Sequence, residues 1–308
     1  TGHSFPPCTK TIEKYGSQNY KDYEVSVAYE AGCCGYNPAR AFTSFGWETF
    51  VLNPADIPRP AKNNFVKTDK IDARILANLL RSDFVTTSDV PSKEIRALRD
   101  IVRQRAYLVK LRTELKNKIH AELAKRWIKP SLNIFTQKGA QWLTSQHIES
   151  INRYLDILKK LNENIDEISK EISSIAQKNR DAQLLMTIPG IGYYSAICIL
   201  AEIGDNTRFE SSHKLCSYAW LAPSTRQSGH TTHHGHIMKQ GNKWIRWILT
   251  QCVHIHIKYD THLTRFYHRI AHRKGKKIAV VATASKMLRV IYWMLKNHEE
   301  FQPFKGCT

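Results

Sequence analysis

The chain has 308 residues, with 46 Lys plus Arg against 27 Asp plus Glu, so its formal net charge is +19, which points to a polyanionic partner with nucleic acid first in line. That length suggests about two domains of ~150 residues and allows a real core, and 42 % hydrophobic with 24 % charged residues exclude wholesale disorder. Seven Cys without a C-x-x-C pair argue against a disulfide scaffold or a Cys-type zinc site and fit a reducing cytosol; no signal peptide and no apolar run near the ~18 residues of a membrane span is evident.

Residues 1–20 are polar and unpatterned. Residues 24–29 alternate and are β-branched, which predicts a strand that breaks at Glu30-Ala31-Gly32. Residues 38–45 read as a helix, 49–52 as a short buried strand stopped by Asn53-Pro54, and 69–80 as a helix with Ile71, Ile75, Leu76 and Leu79 on one face. Strand, helix, strand, helix implies an α/β unit. A long helix follows from Ser92 to about Lys129, ended by Pro130; residues 92–130 hold twelve Lys or Arg against four acids. A second long helix, about 147–177, places Ile151, Tyr154, Leu158, Leu161, Ile165, Ile168, Ile172 and Ile175 at alternating steps of three and four, an a/d heptad. One narrow apolar seam suggests an antiparallel hairpin, a dimer coiled coil or both, with dimerisation favoured over an internal bundle. From Asp181 the texture changes: Leu184–Ile188 is apolar, Pro189-Gly190-Ile191-Gly192 opens a helix over 193–203, and 278–295 is an amphipathic helix.

Asp69 and Asp72 lie three apart and share a helix face. Mg²⁺ takes one or two carboxylates with phosphate oxygens and water, whereas Asp in a first helical turn is also favoured by the dipole alone. Glu30 at a strand's carboxyl end, where α/β sheets place ligands, makes a metal site credible, with Lys67, Lys70 and Arg74 flanking the pair. The Pro189-Gly190-Ile191-Gly192 segment reads as a helix–hairpin–helix turn that binds a nucleic-acid backbone through free N–H groups, or as an ordinary turn between core helices. Ser228 beside Gly229 in a polar loop is a candidate nucleophile or a simple turn residue, and Arg226, Lys239, Lys243 and Arg246 would meet phosphates or form a solvated face. His230, His233, His234 and His236, joined by His254 and His256, lack the spacing of a helical zinc pair and suit phosphate better. The basic run from His268 to Lys277 is a phosphate contact or a charged loop.

In order, Tyr29-Glu30-Ala31-Gly32, Lys67-Thr68-Asp69-Lys70-Ile71-Asp72-Ala73-Arg74, Ile188-Pro189-Gly190-Ile191-Gly192, Ser228-Gly229, Lys239-Gln240-Gly241-Asn242 and Ala284-Ser285-Lys286-Met287-Leu288 resemble the IS110 family of insertion-sequence transposases. The resemblance spans nearly the whole chain. It implies an α/β plus α fold: a DEDD, RuvC-like (RNase-H-like) domain over 1–91, a helical coiled-coil segment over 92–178, and a mostly α transposase domain with a helix–hairpin–helix and a serine loop over 179–308. It implies that Glu30, Asp69 and Asp72 are the last three tetrad acids and hold Mg²⁺. It further implies that Ser228 becomes transiently joined to DNA through phosphate, which conserves bond energy for rejoining. A structured RNA encoded by the element would choose sites by base pairing. Family members work as dimers or tetramers in the cytoplasm at the bacterial or archaeal nucleoid, not at a membrane. One departure stands out. The family's first Asp lies on a strand before the Glu, but here only Asp22 precedes the 24–29 strand. The tetrad is incomplete as written, and the chain reads as N-terminally truncated. Two rival readings remain: a metal-dependent nuclease using the acids alone, and a catalytically dead, nucleic-acid-binding remnant.

Overall fold

The computed structural model describes residues 3–32, 34–54, 57, 68–83, 85, 87–228, 231–237 and 241–304, with the backbone alone described at 225–228, 232–234 and 236. Two units divide the chain, Thr1–Ser92 and Lys93–Thr308.

In the first unit, α1 (Thr9–Asn19) precedes β1 (Ser26–Glu30), α2 (Asn37–Ser44), β2 (Glu48–Leu52) and α3 (Asp69–Arg81). β1 and β2 pair in parallel, Ser26 opposite Glu48 through Glu30 opposite Leu52, so α2 is the crossover of a β-α-β step. α1 was not legible as a helix because its apolar positions are sparse; it is held at Gly16, where a Cβ would lie 2.5 Å from the Trp47 ring. Pro38 stands in the first turn of α2, where its fixed φ suits a helix start. Thr68 caps α3 by accepting the Ile71 N–H at 3.3 Å, and α3 packs on β1. No residue of α3 is fully buried, so its apolar face is only half covered.

The second unit starts with two long helices, α4 (Lys93–Lys125) and α6 (Glu149–Lys178), separated by α5 (Gln137–Ser145). Arg105 Nε donates to Ser169 Oγ (2.8 Å) and Arg112 Nη1 to Asn162 Oδ1 (3.5 Å), which makes the pair antiparallel. The heptad seam therefore faces its own chain. Ile151, Leu158, Ile165 and Ile172 are buried, the first two with Ile119, Leu123, Ile134 and Leu143, and Ile172 with Val102. The sequence favoured a dimer for this seam; a helix of the same chain, 30–70 residues upstream, covers it instead.

α7 (Arg180–Met186), α8 (Tyr193–Ile203), α9 (Ser212–Tyr218), α10 (Lys243–His256), α11 (His262–Lys274) and α12 (Lys276–Asn297) complete the unit around one core, into which Val102 of α4 and Ile172 and Ala176 of α6 also reach. Residues 195–203 of α8 are all buried. α12 corrects the expectation that no segment approaches membrane length: an 18-residue window within its 22 residues reaches a mean hydropathy of 1.5, and 67 % of that window is buried inside the fold. Lys286 and Arg289 interrupt the run in the sequence, but the apolar residues around them outweigh both. Between α9 and α10, where a polar loop was expected, β3 (Pro223–Ser228) and β4 (Thr231–Ile237) pair antiparallel as a two-stranded arm. The basic run 268–277 is helical rather than a loop, forming the end of α11 and the start of α12.

Candidate functional site

Glu30 is the last residue of β1 and is half-buried; Asp69 and Asp72 lie in the first turn of α3, exposed and half-buried respectively. The packing of α3 on β1 thus brings the elements bearing all three predicted acids together. Arg74 points outward one turn further on, and Lys67 lies outside the described residues. The donor chemistry, three hard carboxylates at the end of a strand and the start of a helix, fits Mg²⁺, which keeps several waters and needs no closed protein cage. Among the described residues no three His, Cys, Asp or Glu side chains form a ready-made cluster. Two carboxylates sharing one helical turn also repel without a cation between them, so the acids are placed but not drawn together.

The second candidate region centres on the β3–β4 arm. Ser228 ends β3 opposite Thr231, and Arg226 stands opposite His233. Lys239 lies outside the described residues, as does His230. At the base of the arm Gly241 lies so close to Trp220 that any Cβ would fall within the indole ring. Asn242 follows. Its N–H donates to the Tyr218 carbonyl (3.0 Å), and its Oδ1 caps α10 by accepting from Trp244 N (2.9 Å) and Ile245 N (3.1 Å). Its Nδ2 donates to Glu202 Oε2 at 2.8 Å. Glu202 is wholly buried, and Arg103 of α4 grips it with two bonds of 2.8 and 2.9 Å. Arg99 donates to the Ala201 (2.7 Å) and Glu202 (3.2 Å) carbonyls at the end of α8. The Gly241-Asn242 motif is therefore an anchor that ties the arm to the core. Lys243 is exposed in the first turn of α10, and Arg246 is half-buried with Nη1 unpartnered.

The sequence missed this cluster. Its signal was Glu202, the one acid in an otherwise apolar helix, together with Arg99 and Arg103 four apart on a facing helix. An acid in a buried run requires a cation, and the matching i, i+4 pair was the trace of it.

The Pro189–Gly192 turn joins α7 to α8, as expected, but its two glycines face different ways. Gly190 has φ +93°, and a Cβ there would sit 2.8 Å from the Cys252 carbonyl and 3.0 Å from the His256 N–H. Its close approach is to α10. Pro189 contributes its carbonyl to His256 Nδ1 (2.7 Å), whose Nε2 meets Thr261 Oγ1 (2.7 Å). His256 is thus a core histidine, not a member of a metal or phosphate cluster, and burial pushes its pKa down. His254, two residues away, is exposed on the other side of α10. Gly192, the N-cap of α8, has open space around it, beside Tyr193 at 45 % exposure. Burial also pushes the Cys198 and Cys252 thiols up, to about 12 and about 11, so neither is a thiolate nucleophile.

Two family models match the chain: a transposase model of the DEDD, IS110 type over residues 3–127, and the model described as transposase IS116/IS110/IS902 family over residues 182–268. The chain is 31 % identical over 286 residues to a putative transposase of Sinorhizobium fredii, covering 84 % of this chain and 72 % of that one. It is 28 % identical over 297 residues to the transposase for insertion sequence element IS1111A of Coxiella burnetii, covering 91 % and 80 %. It is also 28 % identical over 260 residues to a pilin gene-inverting protein of Moraxella bovis, covering 82 % and 73 %.

Proposed function

Because the chain belongs to the IS116/IS110/IS902 family of transposases, enzymes of DNA transposition or recombination, we propose that it cuts and rejoins DNA through a phosphoserine at Ser228. The observation carrying this is the placement of Ser228: it ends a two-stranded arm whose base is locked by Asn242 and Glu202, with Arg226, Lys243 and Arg246 on the arm and the helix it leads into. A nucleophile carried on an anchored strand would start from a fixed backbone position, and positioning is where much of the rate of such chemistry arises. In this step the Ser228 hydroxyl gives up its proton as its oxygen attacks phosphorus, the P–O bond to the departing deoxyribose oxygen breaks, and that oxygen takes up a proton, so none is gained or lost overall. The bond count is unchanged, so a second strand's hydroxyl reverses the step and releases the serine.

Glu30, Asp69 and Asp72 would hold Mg²⁺ in the first unit. A bound divalent ion supplies Lewis-acid stabilisation of phosphate charge. Gly192 and the exposed start of α8 would contact backbone phosphate. Site choice would fall to an RNA encoded by the element; the excess of cations along α4 suits a protein that grips backbones and leaves sequence to base pairing. Two or four copies would act together, with exposed Tyr107 and Ile157 on the long helices available for contact.

The test is a denaturation-resistant protein–DNA adduct formed with element-end DNA, Mg²⁺ and the element's RNA. Ser228→Ala should abolish the adduct with DNA affinity unchanged, and Asp72→Asn should do the same. Cleavage that persists in Ser228→Ala without an adduct identifies a nuclease using the acids alone. Binding with no Mg²⁺-dependent product in the unaltered chain identifies a non-catalytic binder.

A further inference from the structure

The Ala284-Ser285-Lys286-Met287-Leu288 segment of α12 serves none of the roles above. Ala284, Ser285, Met287 and Leu288 are buried, which leaves Lys286 as the residue that turns outward. Lys286, Arg289 and Trp293 follow at i, i+3 and i+7 and so share one helix face. That face lines a cavity of about 400 Å³, together with Phe266 of α11 and His213 of α9. The size falls within the ~300–1,000 Å³ of ligand clefts.

Three features of the cavity point to one ligand chemistry. Its cationic groups, Lys286 and Arg289, have no acid beside them among the residues that line it. Lys286 Nζ instead sits 4.8 Å from the Phe266 ring centre, and Arg269 approaches the same ring at 5.5 Å. Arg289 Nε is shielded from solvent and has no hydrogen-bond partner, an orphan donor with a full charge behind it. Trp293 is 46 % exposed at the rim, edge-on to Tyr292 at 5.3 Å and with Lys296 Nζ 5.3 Å from its ring centre, so a further cation stands beside the exposed indole. Adjacent cations and a half-exposed indole are the composition with which proteins hold an unstacked nucleic-acid strand: phosphate on the cations, base on the ring.

We propose that this cavity is a nucleotide pocket, in which a strand's phosphate lies against Arg289 and Lys286 and its unstacked base lies on Trp293. The proposal rests on the chain being a nucleic-acid enzyme but is independent of the Ser228 chemistry.

The test measures binding of the full chain to a labelled 20-nucleotide single strand, as DNA and as RNA of the same sequence, and to the DNA duplex, across a salt series. Trp293→Ala should weaken single-strand binding about 5- to 100-fold and leave duplex binding unchanged. Lys286→Gln with Arg289→Gln should weaken single-strand binding and flatten the slope of log affinity against log salt by about 1.4, two contacts at ~0.7 each. Equal losses for DNA and RNA assign the pocket to phosphate and base alone; a loss confined to RNA assigns it to an RNA strand. Wild-type affinity and slope in both variants overturn the proposal, as does equal weakening of duplex and single strand by Trp293→Ala. A second measurement needs no variant. Irradiation of the unaltered protein with a 5-bromouracil oligonucleotide should crosslink Trp293, and crosslinks only outside the 276–297 peptide overturn the pocket. Duplex binding without single-strand binding overturns the pocket and leaves the proposed function standing; binding to neither removes both.

Discussion

Asn242 Nδ2 donates to Glu202 Oε2 at 2.8 Å while Oδ1 of the same side chain caps α10, so one amide both starts a helix and closes the β3–β4 arm onto a buried carboxylate. Asp is as good a helix cap as Asn, but it cannot donate. Asn242→Asp should therefore keep the cap, place two carboxylates together and destabilise by about 2 kcal/mol or more in denaturant unfolding. Adding Glu202→Gln should restore part of that loss, because the new amide can donate to the new carboxylate. A neutral Asn242→Asp would show that the Glu202 contact contributes nothing.

The two glycines of the α7–α8 turn should respond oppositely. Gly190→Ala forces a side chain into positive φ against the backbone of α10, at a cost of about 1–3 kcal/mol or more from strain alone. Gly192→Ala meets open space at φ −103° and should leave the melting temperature nearly unchanged. If the start of α8 grips phosphate, Gly192→Ala should lower DNA affinity without lowering stability.

The heptad seam separates internal from intermolecular packing. Ile165 is 3 % exposed and Ile157 is 50 % exposed on the same helix. Ile165→Ala should cost about 2–5 kcal/mol, whereas Ile157→Ala should stay within about 0.5 kcal/mol. An Ile157→Ala loss that grows as protein is diluted would mark that face as a contact between copies.

His256 and His262 both have pKa values pushed down, chiefly by burial. Each is neutral when folded and gains a proton more readily when unfolded. Stability is therefore present above the unfolded value, near 6.5, and falls as pH drops below it, by at most about 1.4 kcal/mol per pH unit per histidine. His256→Gln should remove its share of the slope between pH 7 and 5, read from denaturation midpoints. An unchanged slope would show that His256 does not titrate on unfolding.

Much of this protein was legible before any fold was known. The strand before Glu30, the helix over 69–80, the helix over 193–203 and the i, i+3, i+4 seam of α6 all follow from local rules, because each depends on residues a few positions apart. So did the candidate acids and the serine, since charge and nucleophile types are written in single residues. Three features resisted. The helix over 9–19 has too weak an apolar stripe to announce itself, and its anchor is Trp47, 31 residues downstream of Gly16. The β3–β4 arm is polar, and its strands pair with each other rather than with a core, so no alternation marks them. The membrane-length apolarity of α12 is interrupted in the sequence by Lys286 and Arg289, two charges that the surrounding apolar residues outweigh.

What the sequence determined by itself is the set of parts: a basic chain, an α/β unit carrying acids, two long helices and a serine in a polar stretch. What only the tertiary structure decided is which partner each ambiguous group takes. The seam of α6 read in favour of a second copy, and α4 of the same chain occupies it. Gly190 was equally suited to a phosphate, and the backbone of α10 occupies it. Asn242 was part of a motif without a stated role, and Glu202, forty residues upstream, gives it one. A local pattern fixes what a residue can satisfy, while burial imposes that every polar group find a partner, and that partner is chosen across distances the local pattern does not span.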